Sequence, residues 1–175
     1  MMFVAHDVLL DVAFGVARPR LVSLASSRAL VDASRAAYQE GLVSLIRAGP
    51  AAPGPAGLQH TTRLARVRFL PPVERAHTTT IGLRWEASGL SAGLFPVLDA
   101  DITLAAATEH TTTLTLSGVY RPPAEGAALL GVPVPDVLAA DGPLAVSEAD
   151  AGLMADVAVR ALLRYAAGHL TGSIK

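Results

Sequence analysis

Three side chains able to hydrogen-bond fall on otherwise apolar strand faces: His6, Trp85 and Tyr120. Tyr165 can join them from a helix. Amphipathic aromatics in an apolar pocket orient a ligand with few polar groups. The same rings also fill ordinary cores, each finding one backbone partner. His6 has the titration range of a general base, about 6.5 when unperturbed. No acid is placed by sequence to orient it, because Asp7 points to the opposite face of the same strand. Asp99 and Asp101 form a carboxylate pair roughly 7 Å apart at strand rise, a spacing usable in acid–base or metal chemistry. Arg66, Arg68 and Arg84 lie on the same face of neighbouring strands, so a solvated cross-strand charge lattice is the better account. His60, His77, His110 and His169 are scattered without HxH or HxxxH spacing, and surface histidine is the default for each. No metal site, dinucleotide-binding glycine motif, phosphate loop or nucleophile elbow is expected, and no catalytic residue is assigned.

The elements that must position these residues follow from periodicity. Phe3–Ala13 alternates as a strand, with Val4, His6, Val8, Leu10 and Val12 on one face. Pro19 fits the first turn of a helix. Helix-favouring residues run from Leu21 to about Glu40, with a break expected near Ser26 and Ser27. Tyr38, Leu42, Leu45 and Ile46 continue a helical spacing, but Gly41 weakens it and leaves a short strand at Leu42–Arg47 open. Gly49–Gly57 is a loop of glycine and proline. Four period-two segments follow: Thr62–Leu70, Thr78–Glu86, Leu94–Ala106 and Thr111–Arg121. Short connections make them an antiparallel meander. Gly118 marks an expected bulge or bend. The threonine runs at Thr78–Thr80 and Thr111–Thr113 read as solvent-facing strand ends, with an exposed sheet edge as the other possibility. Ala124–Leu130 can form a short helix before a proline-rich excursion at Val132–Pro143. Ser147 opens a final helix running to about Leu170, with Gly172 as its stop signal. Past its first turn its charges, Asp156, Arg160 and Arg164, form one narrow stripe, so it must be covered on more than one side.

Composition bounds the rest. The 175 residues are read as one domain, 1–175, with 51% hydrophobic and 17% charged residues excluding a disordered chain. A net charge of −1 argues against nucleic acid or acidic lipid as the main partner. The absence of cysteine excludes disulfides, a thiolate nucleophile and a Cys-ligated metal. The mean hydropathy of +0.44 raises the question of a membrane span. The charge-free stretches Ala48–Thr62 and Ala87–Leu98 are shorter than the roughly 20 apolar residues needed, and both contain glycine and proline. Asp7 and Asp11 interrupt the apolar N-terminus, so no signal peptide is expected, and the protein is read as soluble and cytoplasmic.

The order of strand, one or two helices, four-strand meander and long C-terminal helix resembles the helix-grip fold of the START-like SRPBCC superfamily. That superfamily includes polyketide cyclases, lipid-transfer domains and the birch-pollen allergen group. Leu83-Arg84-Trp85-Glu86-Ala87, the stretch Leu94 to Asp101 and the stretch Leu116 to Pro123 resemble segments of uncharacterised actinobacterial members. The expected fold class is α+β: a curved antiparallel sheet of about five strands gripping the final helix. The resemblance implies an apolar cavity between sheet and helix, and no single chemistry. The strands would line it with His6, Val67, Phe69, Leu83, Trp85, Leu98, Leu116 and Tyr120. The helix would add Met154, Val157, Ala161 and Tyr165. Three functions follow as expectations. The first is binding of a small hydrophobic molecule, lipid or polyketide-like, without a cofactor. The second is a cyclase or aromatase-like enzyme in which His6 or Tyr120 moves protons. The third is a filled core acting through a protein partner or as a homodimer, with the apolar final helix and Leu129–Leu138 supplying the surface.

Overall fold

The computed structural model describes residues 2–48, 65–87, 97–121 and 148–173. Its elements are β1 (Met2–Leu10), α1 (Phe14–Ala25), α2 (Arg28–Ala48), β2 (Ala65–Phe69), β3 (Val73–Glu74), β4 (Thr78–Ala87), β5 (Val97–Ala106), β6 (Thr112–Arg121) and α3 (Glu148–Thr171). The expected segments at Gly49–Gly57, Ala124–Leu130 and Val132–Pro143, and the Ser147 cap, lie outside the described residues. The fold is α+β. An open, antiparallel six-stranded sheet has the order β1-β6-β5-β4-β2, with β3 also pairing β4. The meander of β2, β4, β5 and β6 matches the period-two reading. The sixth strand, β3, escaped it because two exposed residues after Pro71 and Pro72 carry no alternation.

Two local readings change. The first helix begins at Phe14, a turn before Pro19, which sits inside it. Proline lacks the N–H that would reach the carbonyl four residues back, on Gly15, and both residues are exposed. The missing bond therefore falls on the water side and the helix continues. The helix break at Ser26 and Ser27 is present; Ser27 Oγ accepts from Leu30 N at 3.4 Å, capping α2. Beyond it, α2 runs unbroken through Gly41 to Ala48, so Leu42–Arg47 is not a strand. A Cβ at Gly41 would lie 2.5 Å from the Met154 carbonyl oxygen. Glycine is therefore there for the close crossing of α2 over α3, not as a helix breaker.

The core lies between the inward sheet face and the helices. Alternation puts Ile81, Leu83, Trp85, Leu98, Ile102, Leu104, Leu114, Leu116 and Tyr120 inside. Helix α3 adds Met154, Ala158, Val159, Leu162, Ala166 and Leu170, and packs against both α2 and the β1–β6 pair. That two-sided cover accounts for its single charged stripe. Gly172, at φ +79°, ends the helix, with Ser173 N donating to Gly168 O at 2.9 Å. Arg20 Nη1 donates to the Leu170 carbonyl at 2.6 Å, satisfying another terminal acceptor. No helix among the described residues is long and apolar enough to cross a membrane.

Two expectations about the sheet are overturned. Thr79 and Thr112 are buried, so the threonine runs are not simply solvent-facing strand ends, and β4 and β6 are interior strands, so neither run forms a sheet edge. Gly118 makes no bulge: its register runs straight from Val4 through Gly118 to Ala100. A Cβ there would lie 2.5 Å from both Ala100 Cβ and Asp99 O. Close approach of β5, not a break in the ladder, requires the glycine.

Candidate functional site

The register arranges the inward side chains in rows across the sheet. One row runs Val67, Trp85, Leu98, Tyr120, Met2. The next runs Phe69, Leu83, Ala100, Gly118, Val4, and a third runs Ile81, Ile102, Leu116, His6. Every strand residue expected to line a cavity thus lies on the same face. Of the twelve, Leu83, Trp85, Leu98, Leu116, Tyr120 and Met154 are buried together, whereas His6, Val67, Phe69, Val157, Ala161 and Tyr165 are half-buried.

The buried group has an unusual polar content. Among the described residues, Trp85 Nε1 and Tyr120 Oη are both buried without a hydrogen-bond partner, as are Ser34 Oγ and Thr79 Oγ1. Native interiors rarely leave such atoms unmatched. Tyr38, on α2, meets the Trp85 ring edge-on, with centroids 6.2 Å apart and planes at 77°. Burial pushes the hydroxyl pKa of Tyr38 far above the usual tyrosine range. Burial does the same to Tyr120, and the neighbouring Tyr38 hydroxyl adds to the effect. Both phenols are therefore neutral at ordinary pH, and the Tyr120 hydroxyl keeps a proton to donate. From the sequence Tyr38 reads only as part of a helical spacing, not as a site residue. Its signal is the polar pair Ser34 and Tyr38, one turn apart on the otherwise apolar face of α2.

His6 has an acid after all. Its Nε2 lies 2.6 Å from Asp156 Oδ1, and Arg160 Nε lies 3.0 Å from Asp156 Oδ2. Arg160 Nε also approaches His6 Nε2 at 3.3 Å. One ring nitrogen cannot donate and accept through the same site, and the shorter contact decides: Nε2–H donates to Asp156. This joins edge strand β1 to α3. Sequence reading placed Asp156 on the helix stripe but could not see which strand the stripe crosses. We expect a double-mutant cycle of His6→Ala and Asp156→Ala to give a coupling of about 1 kcal/mol, as for a part-buried charge-assisted pair. Additive losses in urea unfolding would mean that the contact does not hold β1 to α3.

His6 does not line either of two clefts found among the described residues. Val67 and Phe69 face one between the α1–α2 elbow and β2, about 490 Å³ in volume. Ala161 and Tyr165 face another between α2 and α3, about 460 Å³, whose rim carries Asp32 and Glu40. On the outer face of the sheet, Asp99 pairs with Arg84 at 3.2 Å and Arg121 at 2.7 Å, and Glu86 pairs with Arg84 at 3.1 Å. Of the expected lattice this keeps Arg84 and Asp99, while Arg66 reaches Glu86 at 3.7 Å and Arg121 joins from β6. Among the described residues no three potential metal ligands come together.

The class these features define is an α+β protein whose open antiparallel sheet packs its apolar face against a long C-terminal helix. No protein-family model matches the chain. No curated protein matches it. Among solved structures it is similar to the crystal structure of the Zhui aromatase/cyclase from Streptomyces sp. R1128, at 14% identity over 95% of this chain and 94% of that one. The TM-score is 0.28, and at that value the likeness carries no argument about activity.

Proposed function

We propose that the interior between the sheet and helices α2 and α3 binds a small hydrophobic molecule, lipid or polyketide-like, that carries a hydrogen-bond acceptor. The observation that supports this is the pair of unmatched donors, Trp85 Nε1 and Tyr120 Oη, in one row of an apolar face. Leaving each unmatched costs about 1–3 kcal/mol, which a ligand oxygen would recover. Burial of the ligand's apolar surface would supply the rest of the affinity, at about 25 cal/mol per Å² before association costs.

The test is native mass spectrometry of the protein purified from its own host, followed by denaturing extraction. A stoichiometric small molecule is the expected result. Trp85→Phe and Tyr120→Phe keep most of the ring volume and remove one donor each. Each should weaken the extracted molecule about three- to tenfold, the worth of one hydrogen bond. A clean apo mass, with Trp85→Phe more stable than the parent, would sink the proposal: the orphans would then be only unmatched core groups.

A second reading, a cyclase or aromatase-like enzyme, is favoured by one observation. Asp156 holds His6 through Nε2 and leaves Nδ1 with its lone pair, the form a general base needs. Conversion of the extracted molecule by the parent, lost in His6→Gln, would support it.

A further inference from the structure

We infer a second ligand site in the cleft between the α1–α2 elbow and edge strand β2, adjoining the interior one through Val67 and suited to an amphipathic monoanion such as a medium-chain carboxylate. The cleft's volume of about 490 Å³ lies within the range of small-molecule sites. Its floor is apolar: Val67 and Phe69 from β2 and Val31 from α2. Strand β2 ends the sheet, so no further strand covers that floor among the described residues.

The charged side chains lining the cleft are both cationic, Arg28 and Arg35. They stand on one face of α2 with Val31 between them, at helical spacing. Both lean on a single carboxylate. Asp32 lies 3.6 Å from Arg28 Nε and 3.3 Å from Arg35 Nη1, and it lines the other cleft instead. Among the described residues, two guanidiniums sharing one carboxylate leave about one positive charge unmatched at the rim. A carboxylate balances that charge, whereas a phosphate monoester would bring more negative charge than the rim can neutralise. Guanidinium forks also match carboxylate geometry. The Ser26 and Ser27 hydroxyls at the elbow donate to Val22 O and Leu24 O, so the arginines carry the recognition. The head would sit among the arginines at the solvent rim, with the chain along Val31, Val67 and Phe69.

The full chain would be titrated calorimetrically with decanoate, decanol and decylamine. Decanoate should bind tightest and decylamine weakest. The surface variant R28Q/R35Q should lose about three- to tenfold in decanoate affinity, as two exposed ion pairs allow, with decanol unchanged. Methyl resonances of Val31 and Val67 should shift on binding while those of Leu98 and Leu116, deeper in the interior, stay in place. Equal affinity for the three probes, no decanoate binding, or no effect of R28Q/R35Q would overturn the site and leave the interior reading standing. A shift at Leu98 or Leu116 without one at Val31 would also overturn it, placing the ligand in the interior.

Discussion

Trp85→Ala should lose about 3–5 kcal/mol of folding stability, the usual cost of deleting a large buried aromatic ring. Trp85 is 1% exposed, with Val67 and Leu98 beside it on neighbouring strands and Tyr38 against its edge. A domain of ordinary stability holds only about 5–15 kcal/mol, so the variant stands near the limit of folding at all. This is why ligand tests use Trp85→Phe. The measurement is urea unfolding followed by far-ultraviolet circular dichroism, since Trp85 is the chain's single tryptophan and the variant has no indole fluorescence. A loss below about 1 kcal/mol would mean that the ring has little packing around it.

Gly118→Ala should be destabilising by about 1–3 kcal/mol, although alanine normally improves on glycine in a strand. The added Cβ would meet Asp99 O and Ala100 Cβ, both at 2.5 Å, and Ala100 Cα at 2.7 Å. These atoms belong to the neighbouring strand and cannot swing aside as a flexible side-chain tip would. Relief requires β5 and β6 to separate, which disturbs the ladder that positions Leu98 and Tyr120. The check is the urea midpoint at unchanged slope. A raised midpoint would show that the strands have room to part.

The strand faces were legible in the sequence because period two fixes them without knowledge of the partner. His6, Val67, Trp85, Leu98 and Tyr120 all face inward, as the alternation requires. Reading failed where an outcome depends on which surfaces meet. Gly41 looks like a helix defect until the Met154 carbonyl is set against it. Asp156 looks like one member of a solvated stripe until β1 brings His6 beneath it. Tyr38 occupies a helical apolar spacing that says core, and only the sheet opposite shows that its ring meets Trp85. The candidate residues divided for the same reason. Period two gives the face, but the paths of the helices decide which part of it is sealed and which opens into a cleft.

The placement of β1 bears on how the molecule assembles. In the described sheet this strand pairs only with β6, and α3 lies over its inner face. The bond from His6 to Asp156 and that from Arg20 to the Leu170 carbonyl each join residues 150 apart in the chain. Neither contact can form while a ribosome is still delivering the second half. Until then β1 offers two unpaired backbone edges and the apolar side chains Val4, Val8 and Leu10, the kind of segment that recruits stray strands or chaperones. The meander from β2 to β6 can zip locally, since each of its strands follows its partner after a short connection, and closure by β1 and α3 comes last. That order predisposes the chain to slow, late completion, the behaviour expected of folds dominated by distant pairings.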